Sequence, residues 1–279
     1  MFSSFNKENH PGKKIFSFGE ILLRMSPTKD SSWLHQQQMP AYIGGSECNV
    51  AAALALWNLP VQYCTAMPDN YLSTSFVEFL QQRNVDTSAI IFSGNKLGIY
   101  YMQQGTDLKH KGVIYDRAHS SFAALMPGTI DWDEQLKDTC WFHFSAISPS
   151  LNNNVALVCE EALQAAAKKN IFISVDLNYR VKLWQQHRNP LDTMPQLASY
   201  CHLIMGNIWS ANALLGAPLH HHLLQSHTDD AYTEHANVTT AFIQQQFTNC
   251  KIAANTFRFD AGENGIRYFA SLHLGDKHF

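Results

Sequence analysis

Two segments of the sequence place polar side chains where they could bind a small molecule. In the first, the glycine pair Gly44–Gly45 stands directly before a helix-like run that carries one amide, Asn49, among apolar residues. Adjacent glycines let a backbone approach a ligand closely, and the start of a helix offers unpaired N–H groups. An amide both donates and accepts hydrogen bonds, which suits a sugar hydroxyl. A strand-to-helix turn capped by Ser46 explains the same residues without a ligand, so both interpretations stay open.

The second segment, DLNYR, alternates a carboxylate, an amide and a guanidinium at Asp176, Asn178 and Arg180. In an extended chain, positions two apart point to one side. The segment follows a predicted buried strand, and open α/β sheets bind ligands where such strands end. An arginine fork binds carboxylate or phosphate through two hydrogen bonds, and Arg117, at the end of a β-rich run over 98–117, is a second candidate. A loop-capping aspartate and solvated surface arginines are the alternatives.

Composition and charge exclude several classes of protein. The 279 residues are 46% hydrophobic, which suits one α/β domain or two small ones, and the net charge of −3 disfavours nucleic acid or an anionic membrane as the main partner. No apolar run approaches the roughly 20 residues that cross a bilayer. Six scattered cysteines indicate free thiols in the reducing cytoplasm. The histidines at 220–222 have no further ligand at metal spacing, so we expect no direct metal site there.

Strands and helices alternate through most of the chain, which predicts a doubly wound, mostly parallel α/β sheet. Two segments do not fit the alternation, the extended residues 31–43 and a hairpin over 97–117, and we expect them to pair as a small accessory sheet. We also predict a disordered tail over 1–13, one domain over 14–279, and a loop or insertion over 216–237. Predicted helices span 46–58, 71–83, 153–169, 191–200, 208–215 and 238–247; predicted strands span 15–18, 61–67, 89–92, 140–147, 171–177, 202–206, 251–257 and 266–272.

Three of these segments resemble one known family. GGSECNVAAALALWNL, from Gly44, resembles the N-terminal signature of the ribokinase/PfkB-type carbohydrate kinases, and GEILLRMSP (Gly19–Pro27) resembles their opening strand and turn. DLNYRVKLW (Asp176–Trp184) resembles the DxNxR segment of the sugar-acid branch, which contains the 2-keto-3-deoxygluconate kinases. The resemblance extends from about residue 14 to the end of the chain. It implies a ribokinase-like fold in which a small β-sheet lid covers the sugar and pairs two subunits into a homodimer.

The resemblance also implies ATP-dependent phosphorylation of a sugar acid, with 2-keto-3-deoxygluconate as the first candidate and Mg²⁺ as the metal. The residues that it places at the substrate are Gly44, Gly45, Asn49, Tyr100, Tyr115, Arg117 and Arg180. The residues that it places near the transferred phosphate and the metal are Asp176 and Asn178. The residues that it places at the nucleotide are Asn207, Thr256, Gly262 and Gly265. Ser210 stands where the family's NxxE element has glutamate, and a plain turn between two strands is the alternative for the two late glycines.

One element of the family does not occur in these 279 residues, the late Gly-Ala-Gly-Asp. In the family its aspartate is the general base and its backbone forms an anion hole, so the catalytic base is left unassigned. Gly275-Asp276 lacks the preceding Gly-Ala. Truncation of a longer enzyme and loss of catalysis both explain this, and the substrate residues upstream favour truncation. The competing functions are a non-catalytic sugar-binding or regulatory protein and a dinucleotide-dependent oxidoreductase, which the lack of GxGxxG after the first strand disfavours.

Overall fold

The structure is a computed structural model that describes residues 12–26, 39–102, 112–184, 189–221, 225, 228–262, 265–275 and 277–279. The chain divides into two compact units. The first unit contains Met1–His143 with Asp260–Ile266, and the second contains Phe144–Phe259 with Arg267–Phe279. Most of the predicted tail, the predicted lid residues 31–38, the hairpin tip 103–111 and Asp276 lie outside the described residues.

The strands and helices follow the predicted alternation. The strands are β1 (Lys14–Phe18), β2 (Leu22–Met25), β3 (Ala41–Gly44), β4 (Val61–Cys64), β5 (Ala66–Met67), β6 (Val85–Asp86), β7 (Ile91–Phe92), β8 (Gly98–Tyr101), β9 (Ile114–Asp116), β10 (Thr139–Ser145), β11 (Phe172–Asp176), β12 (Leu203–Gly206), β13 (Ile252–Ala261), β14 (Gly265–Leu274) and β15 (Lys277–His278). The helices are α1 (Ser46–Leu56), α2 (Tyr71–Gln81), α3 (Trp132–Gln135), α4 (Asn153–Lys168), α5 (Val181–Trp184), α6 (Met194–Ala198), α7 (Ile208–Leu215) and α8 (Asp229–Gln246).

The first unit is built on parallel strands in the order β10-β1-β4-β6. Because side chains alternate along a strand, Phe16 and Phe18 of β1 lie on one face. There they pack against aromatic rings, with Phe18 and Trp132 only 5.2 Å apart between ring centroids. On the other face, Ser17 donates a hydrogen bond of 2.9 Å to the Glu47 carbonyl in α1. Both faces of the sheet are therefore covered, as a doubly wound sheet requires.

A second, four-stranded sheet in the first unit has the order β3-β2-β8-β9, and we call it the lid sheet. The sequence predicted its outer strands within 31–43 and 97–117. It did not predict that β2 would be a central strand, because GEILLRMSP was assigned to the opening strand and turn of the domain. In the structure β2 pairs antiparallel with β3 and parallel with β8. The hairpin prediction is confirmed where the structure describes it, since β8 and β9 pair antiparallel.

In the second unit the strands have the order β15-β14-β13-β12-β11. The pairs β11–β12 and β12–β13 are parallel, and β14–β15 is antiparallel. An apolar cluster packs beside these strands around Ile208, Tyr232 and Phe257, and Phe259 and Phe269 add to it.

The predicted loop over 216–237 is wrong in its second half, because α8 begins at Asp229 and not near 238. The Thr228 side chain accepts a hydrogen bond from the Ala231 N–H group and so caps the helix. Two aspartates in the first turn stabilise the helix, because their negative charges lie at the positive end of its dipole. The polar residues that suggested a loop are therefore the exposed face and the start of an amphipathic helix. The predicted helix over 191–200 is also shorter, since α6 covers only Met194–Ala198.

All six cysteines are free thiols. Five are buried, and Cys140 is half-buried. Within the described residues, no helix has both the length and the apolar character needed to cross a membrane.

Candidate functional site

The glycine pair occupies the end of β3 and the residue that caps α1. A Cβ atom added to Gly44 would lie 2.8 Å from the Tyr100 ring. Gly45 has a φ of +126°, and a Cβ there would lie 2.5 Å from the Glu20 carbonyl oxygen. Each glycine therefore has a packing reason that needs no ligand, and Gly45, not Ser46, is the N-cap. Asn49, one turn into α1, is exposed and available to a ligand.

The two predicted lid tyrosines lie directly opposite each other, since Tyr100 of β8 pairs with Tyr115 of β9. Paired residues point to the same face of a sheet, and the same row continues through Arg24 of β2 to Tyr42 of β3. The Arg24 guanidinium carbon lies 5.9 Å from the centre of the Tyr42 ring. We call these four residues the tyrosine face of the lid sheet. It presents aromatic rings, hydroxyl groups and one cation.

Arg117 follows β9 directly and is deeply buried in an ion pair with Glu20. Its side chain is 5% exposed and that of Glu20 is 1% exposed. Glu20 Oε2 accepts from Arg117 Nε at 2.6 Å and lies 2.5 Å from Nη2. The pair joins the base of the lid to the segment between β1 and β2. The substrate role predicted for Arg117 stays a prediction, because two of its five N–H groups already meet an internal carboxylate.

Two further residues, Ser120 and Gly98, surround the other oxygen of the Glu20 carboxylate. Ser120 Oγ donates to Oε1 at 2.5 Å and itself accepts the Ala123 N–H group at 3.1 Å. Gly98 provides the space, because a Cβ at that position would lie 2.4 Å from Glu20 Oε1. Neither Glu20 nor Ser120 was predicted from the sequence as a functional residue. Glu20 stands in the motif GEILLRMSP, but its partner is 97 residues away and no local pattern indicates that distance.

In the second unit, the predicted carboxylate and amide lie at the end of β11. Asp176 is the last residue of the strand, and its Oδ1 accepts the Asn178 N–H group at 3.0 Å. Burial raises the pKa of Asp176, while this hydrogen bond and the Arg180 charge oppose the rise. Arg180 is exposed, just before α5. Asp176 therefore caps a turn, as the alternative interpretation predicted. Arg180, four residues further along the chain, is exposed to solvent.

The predicted nucleotide residues of the second unit surround the end of β12. Asn207 caps α7, and its Oδ1 accepts the Ser210 N–H group at 2.7 Å. Ser210, at the glutamate position of the family element, is buried. Thr256 of β13 donates from its hydroxyl to the Gly206 carbonyl at 3.4 Å. Each of these polar groups has a partner within the protein, so their nucleotide roles stay predictions.

Gly262 follows β13 directly and Gly265 is the first residue of β14, so both lie at the connection between the two strands, as the turn interpretation predicted. Gly262 has a φ of +67°, which favours glycine. A Cβ on Gly265 would lie 2.4 Å from the Ala261 carbonyl oxygen. The structure thus gives both glycines a conformational reason and does not test their proposed role at ATP phosphates. Across the described residues, no three His, Cys, Asp or Glu side chains are grouped to hold a metal; His222 lies outside them.

The model of the pfkB family carbohydrate kinases matches residues 12–249 of this chain. The chain belongs to this family. A 2-dehydro-3-deoxygalactonokinase from Haloferax volcanii is 28% identical over 171 residues, which are 61% of this chain and 54% of that protein. The chain thus spans about half the length of this relative.

Solved structures agree on the fold. A 2-dehydro-3-deoxygluconokinase from Thermotoga maritima superposes with a TM-score of 0.82 at 28% identity, covering 95% of this chain and 78% of that one. A fructokinase from Xylella fastidiosa with bound ATP gives 0.72 at 17% identity, over 96% and 77% of the two chains. The fold is therefore ribokinase-like, with a mostly parallel α/β sheet and a smaller sheet.

Proposed function

We propose that this protein binds a 2-keto-3-deoxy sugar acid and phosphorylates it with ATP, with 2-keto-3-deoxygluconate as the preferred substrate. The observation that carries the proposal is the tyrosine face of the lid sheet, which presents rings and hydroxyl groups together with the Arg24 guanidinium, while Arg117 lies buried at the base of the lid. Such a surface suits a molecule with several hydroxyl groups and one carboxylate. The two relatives at 28% identity are named as kinases of 2-keto-3-deoxy sugar acids, which supports the same class.

In this proposal different residues bind different groups of the substrate. Arg180 binds the carboxylate, because it is an exposed cation with an open fork. The remaining N–H groups of Arg117 bind the carboxylate or its neighbouring keto oxygen. Asn49 and the backbone at Gly44–Gly45 bind hydroxyl groups, and Tyr100 and Tyr115 cover the carbon chain.

The donor set at the end of β11 fits Mg²⁺, which prefers oxygen ligands. The carboxylate of Asp176 and the amide oxygen of Asn178 are such ligands, and Asp176 keeps one oxygen beyond the hydrogen bond to the Asn178 backbone. Asn207, Thr256, Gly262 and Gly265 would hold the nucleotide. When bound, ATP supplies the phosphoryl group and Mg²⁺ offsets its developing charge. No residue among the 279 is assigned as general base.

Calorimetry and an ATP-consumption assay together test the proposal. Binding of 2-keto-3-deoxygluconate at least tenfold tighter than of a neutral hexose, with ATP consumed only when the acid is present, is the expected result. Binding without turnover would favour the alternative, a non-catalytic sugar-binding or regulatory protein. Equal affinity for acid and neutral sugars would contradict the substrate class.

We further propose that two chains pair through the lid sheet into a homodimer. The face opposite the tyrosine face carries apolar side chains, beside the single carboxylate Asp116. They are Leu23, Met25, Ile43, Ile99, Tyr101 and Ile114, of which Leu23 and Ile43 also pack against the core of the first unit. Ile114 is 60% exposed, and a small sheet gains stability when a second copy covers it. Sedimentation should give a dimer that Ile114→Lys converts to monomer; a monomer at micromolar concentration for the unmodified chain would contradict pairing.

The compartment belongs to the same proposal. Six free cysteines, five of them buried, support a reducing environment such as the cytoplasm. Expression in a reducing and in an oxidising compartment, followed by thiol counting, tests this: we expect six reactive thiols after denaturation only in the first.

A further inference from the structure

Glu20 is a deeply buried carboxylate with an arginine partner, and the proposed mechanism gives it no contact with substrate. It lies between β1 and β2, its side chain is 1% exposed, and it meets Arg117 through two nitrogens. A buried charge is stable only when it is paired and hydrogen-bonded. The chain satisfies this carboxylate completely, with the guanidinium on one oxygen and the Ser120 hydroxyl on the other.

We propose that Glu20 is a positioning residue that fixes the Arg117 fork in the orientation in which its remaining N–H groups bind the substrate carboxylate, an inference that rests on the proposed function. Two nitrogens on one carboxylate oxygen fix the plane of the guanidinium, because the fork is rigid and planar. Once Nε and Nη2 are bound to Glu20, the N–H bonds at Nη1 have a fixed orientation. Arginine side chains lose much rotamer freedom on binding, so fixing the fork beforehand improves affinity.

Gly98 belongs to the same arrangement. It begins β8, and a Cβ there would lie 2.4 Å from Glu20 Oε1, which must then move. Gly98→Ala therefore displaces the carboxylate while both charges remain. Glu20→Gln does the opposite: it keeps the shape and removes the charge. If Glu20 acts by position, the two variants share one effect on substrate binding although their effects on charge differ.

The first experiment measures dissociation constants for 2-keto-3-deoxygluconate and for a neutral hexose by calorimetry. Glu20→Gln and Gly98→Ala should each weaken binding of the acid about tenfold and binding of the hexose less than threefold. The matched control is Asp116→Asn, which breaks the neighbouring but half-exposed pair with Lys96 and should change neither constant more than twofold. Tighter binding of the acid by Glu20→Gln would overturn the proposal, because it would show that Glu20 competes for Arg117.

A double-mutant cycle separates positioning from general loosening of the fold. In an Arg117→Lys chain, which lacks the planar fork, Glu20→Gln should weaken acid binding by less than a further twofold. A full tenfold further loss there would show that Glu20 acts on the fold and not through Arg117, and would overturn the proposal.

A second measurement does not depend on any ligand. In the unmodified chain the Arg117 Nε–H group, held at 2.6 Å from Glu20, should give a slowly exchanging arginine signal by NMR, assigned through its loss in Arg117→Lys. The signal should broaden or disappear in Glu20→Gln and stay in Asp116→Asn. If the unmodified chain binds no sugar acid, the proposed function fails, but the NMR signal still tests whether Glu20 orients Arg117. Persistence of the signal in Glu20→Gln would overturn that role, and loss of the signal would support it.

Discussion

The base of the lid and the end of β11 each carry an arginine that the sequence predicts at the substrate, and the protein holds the two in opposite ways. Arg117 is buried against Glu20 and Ser120, whereas Arg180 is exposed beside a partly buried aspartate. The first site is assembled before any ligand arrives, and its charges cancel. The second keeps its cation exposed to solvent. Residue type and motif therefore locate candidate ligand-binding residues, while burial and pairing decide whether an arginine stabilises the fold, binds the substrate or does both.

The two arginine sites should differ most in what they contribute to the stability of the fold. Glu20→Ala leaves the Arg117 charge buried without its partner, so the free energy of unfolding should fall by about 3–5 kcal/mol. Arg180→Ala removes an exposed side chain and should change it by less than about 0.5 kcal/mol. Urea unfolding of the two variants measures both values.

The control is the double variant Glu20→Met with Arg117→Met, which removes both charges and should recover much of the loss. Equal losses for Glu20→Ala and Arg180→Ala would erase the contrast between the two sites.

A second test concerns the packing at the lid. Gly44→Ala places a Cβ 2.8 Å from the Tyr100 ring and should destabilise the first unit by about 1–3 kcal/mol through overpacking. Tyr100→Leu in the same chain should relieve part of that loss, because it removes the ring. Thermal unfolding of the two single variants and the double variant measures the coupling, and strictly additive effects would show that the ring is not the obstacle.

The third test uses binding and concerns Arg180. Arg180→Ala should weaken binding of the sugar acid at least tenfold, about 1.4 kcal/mol, and leave ATP affinity nearly unchanged. Binding of a neutral hexose should fall less, because it lacks the carboxylate. Lys182→Ala, which removes a cation two residues further on, is the matched control and should have little effect. Equal losses for acid and hexose would point to a structural or phosphate-binding arginine.

The smallest effect is a dependence on pH. Burial raises the pKa of Asp176 in the folded chain, so the folded state holds its proton more tightly than the unfolded state. Its favourable contribution is therefore complete below the ordinary pKa of aspartate and is lost as pH rises through the folded pKa. Asp176→Asn should become more stabilising, relative to the unmodified chain, as pH rises through that range. Urea unfolding from pH 4 to 7 measures the trend, and a constant difference would contradict the raised pKa.

Much of the fold could be predicted from sequence because it depends on local patterns. Apolar runs predicted β1, β11 and β12 to within one residue at each end, and helix α7 was predicted with its exact bounds, whereas the strand predicted over 61–67 is divided into β4 and β5. The central lid strand β2 was missed because it has only four residues, too few to show the periodicity that distinguishes a strand from a turn. The start of α8 was missed because a capped, polar first half of a helix has the composition of a loop.

The candidate site divides in the same way. The pairing of Tyr100 with Tyr115 follows from a hairpin that the sequence indicated. The pairing of Glu20 with Arg117 does not, because it spans 97 residues and depends on the packing of two sheets in the first unit. The glycines before α1 were assigned to a ligand, whereas the structure gives each a neighbour inside the protein that excludes a side chain.

The reactivity of the buried cysteines reports on local unfolding of this protein. Only a thiolate attacks a labelling reagent, and burial raises the pKa of Cys48 to about 12 and that of Cys250 to about 11, with Cys64 and Cys201 raised as well. At neutral pH these thiols should react only when their surroundings come apart. Cys48 and Cys64 belong to the first unit, and Cys201 and Cys250 to the second. Labelling rates of the two pairs, read by mass spectrometry, would therefore show which half of the chain opens first and which half a sugar acid keeps closed.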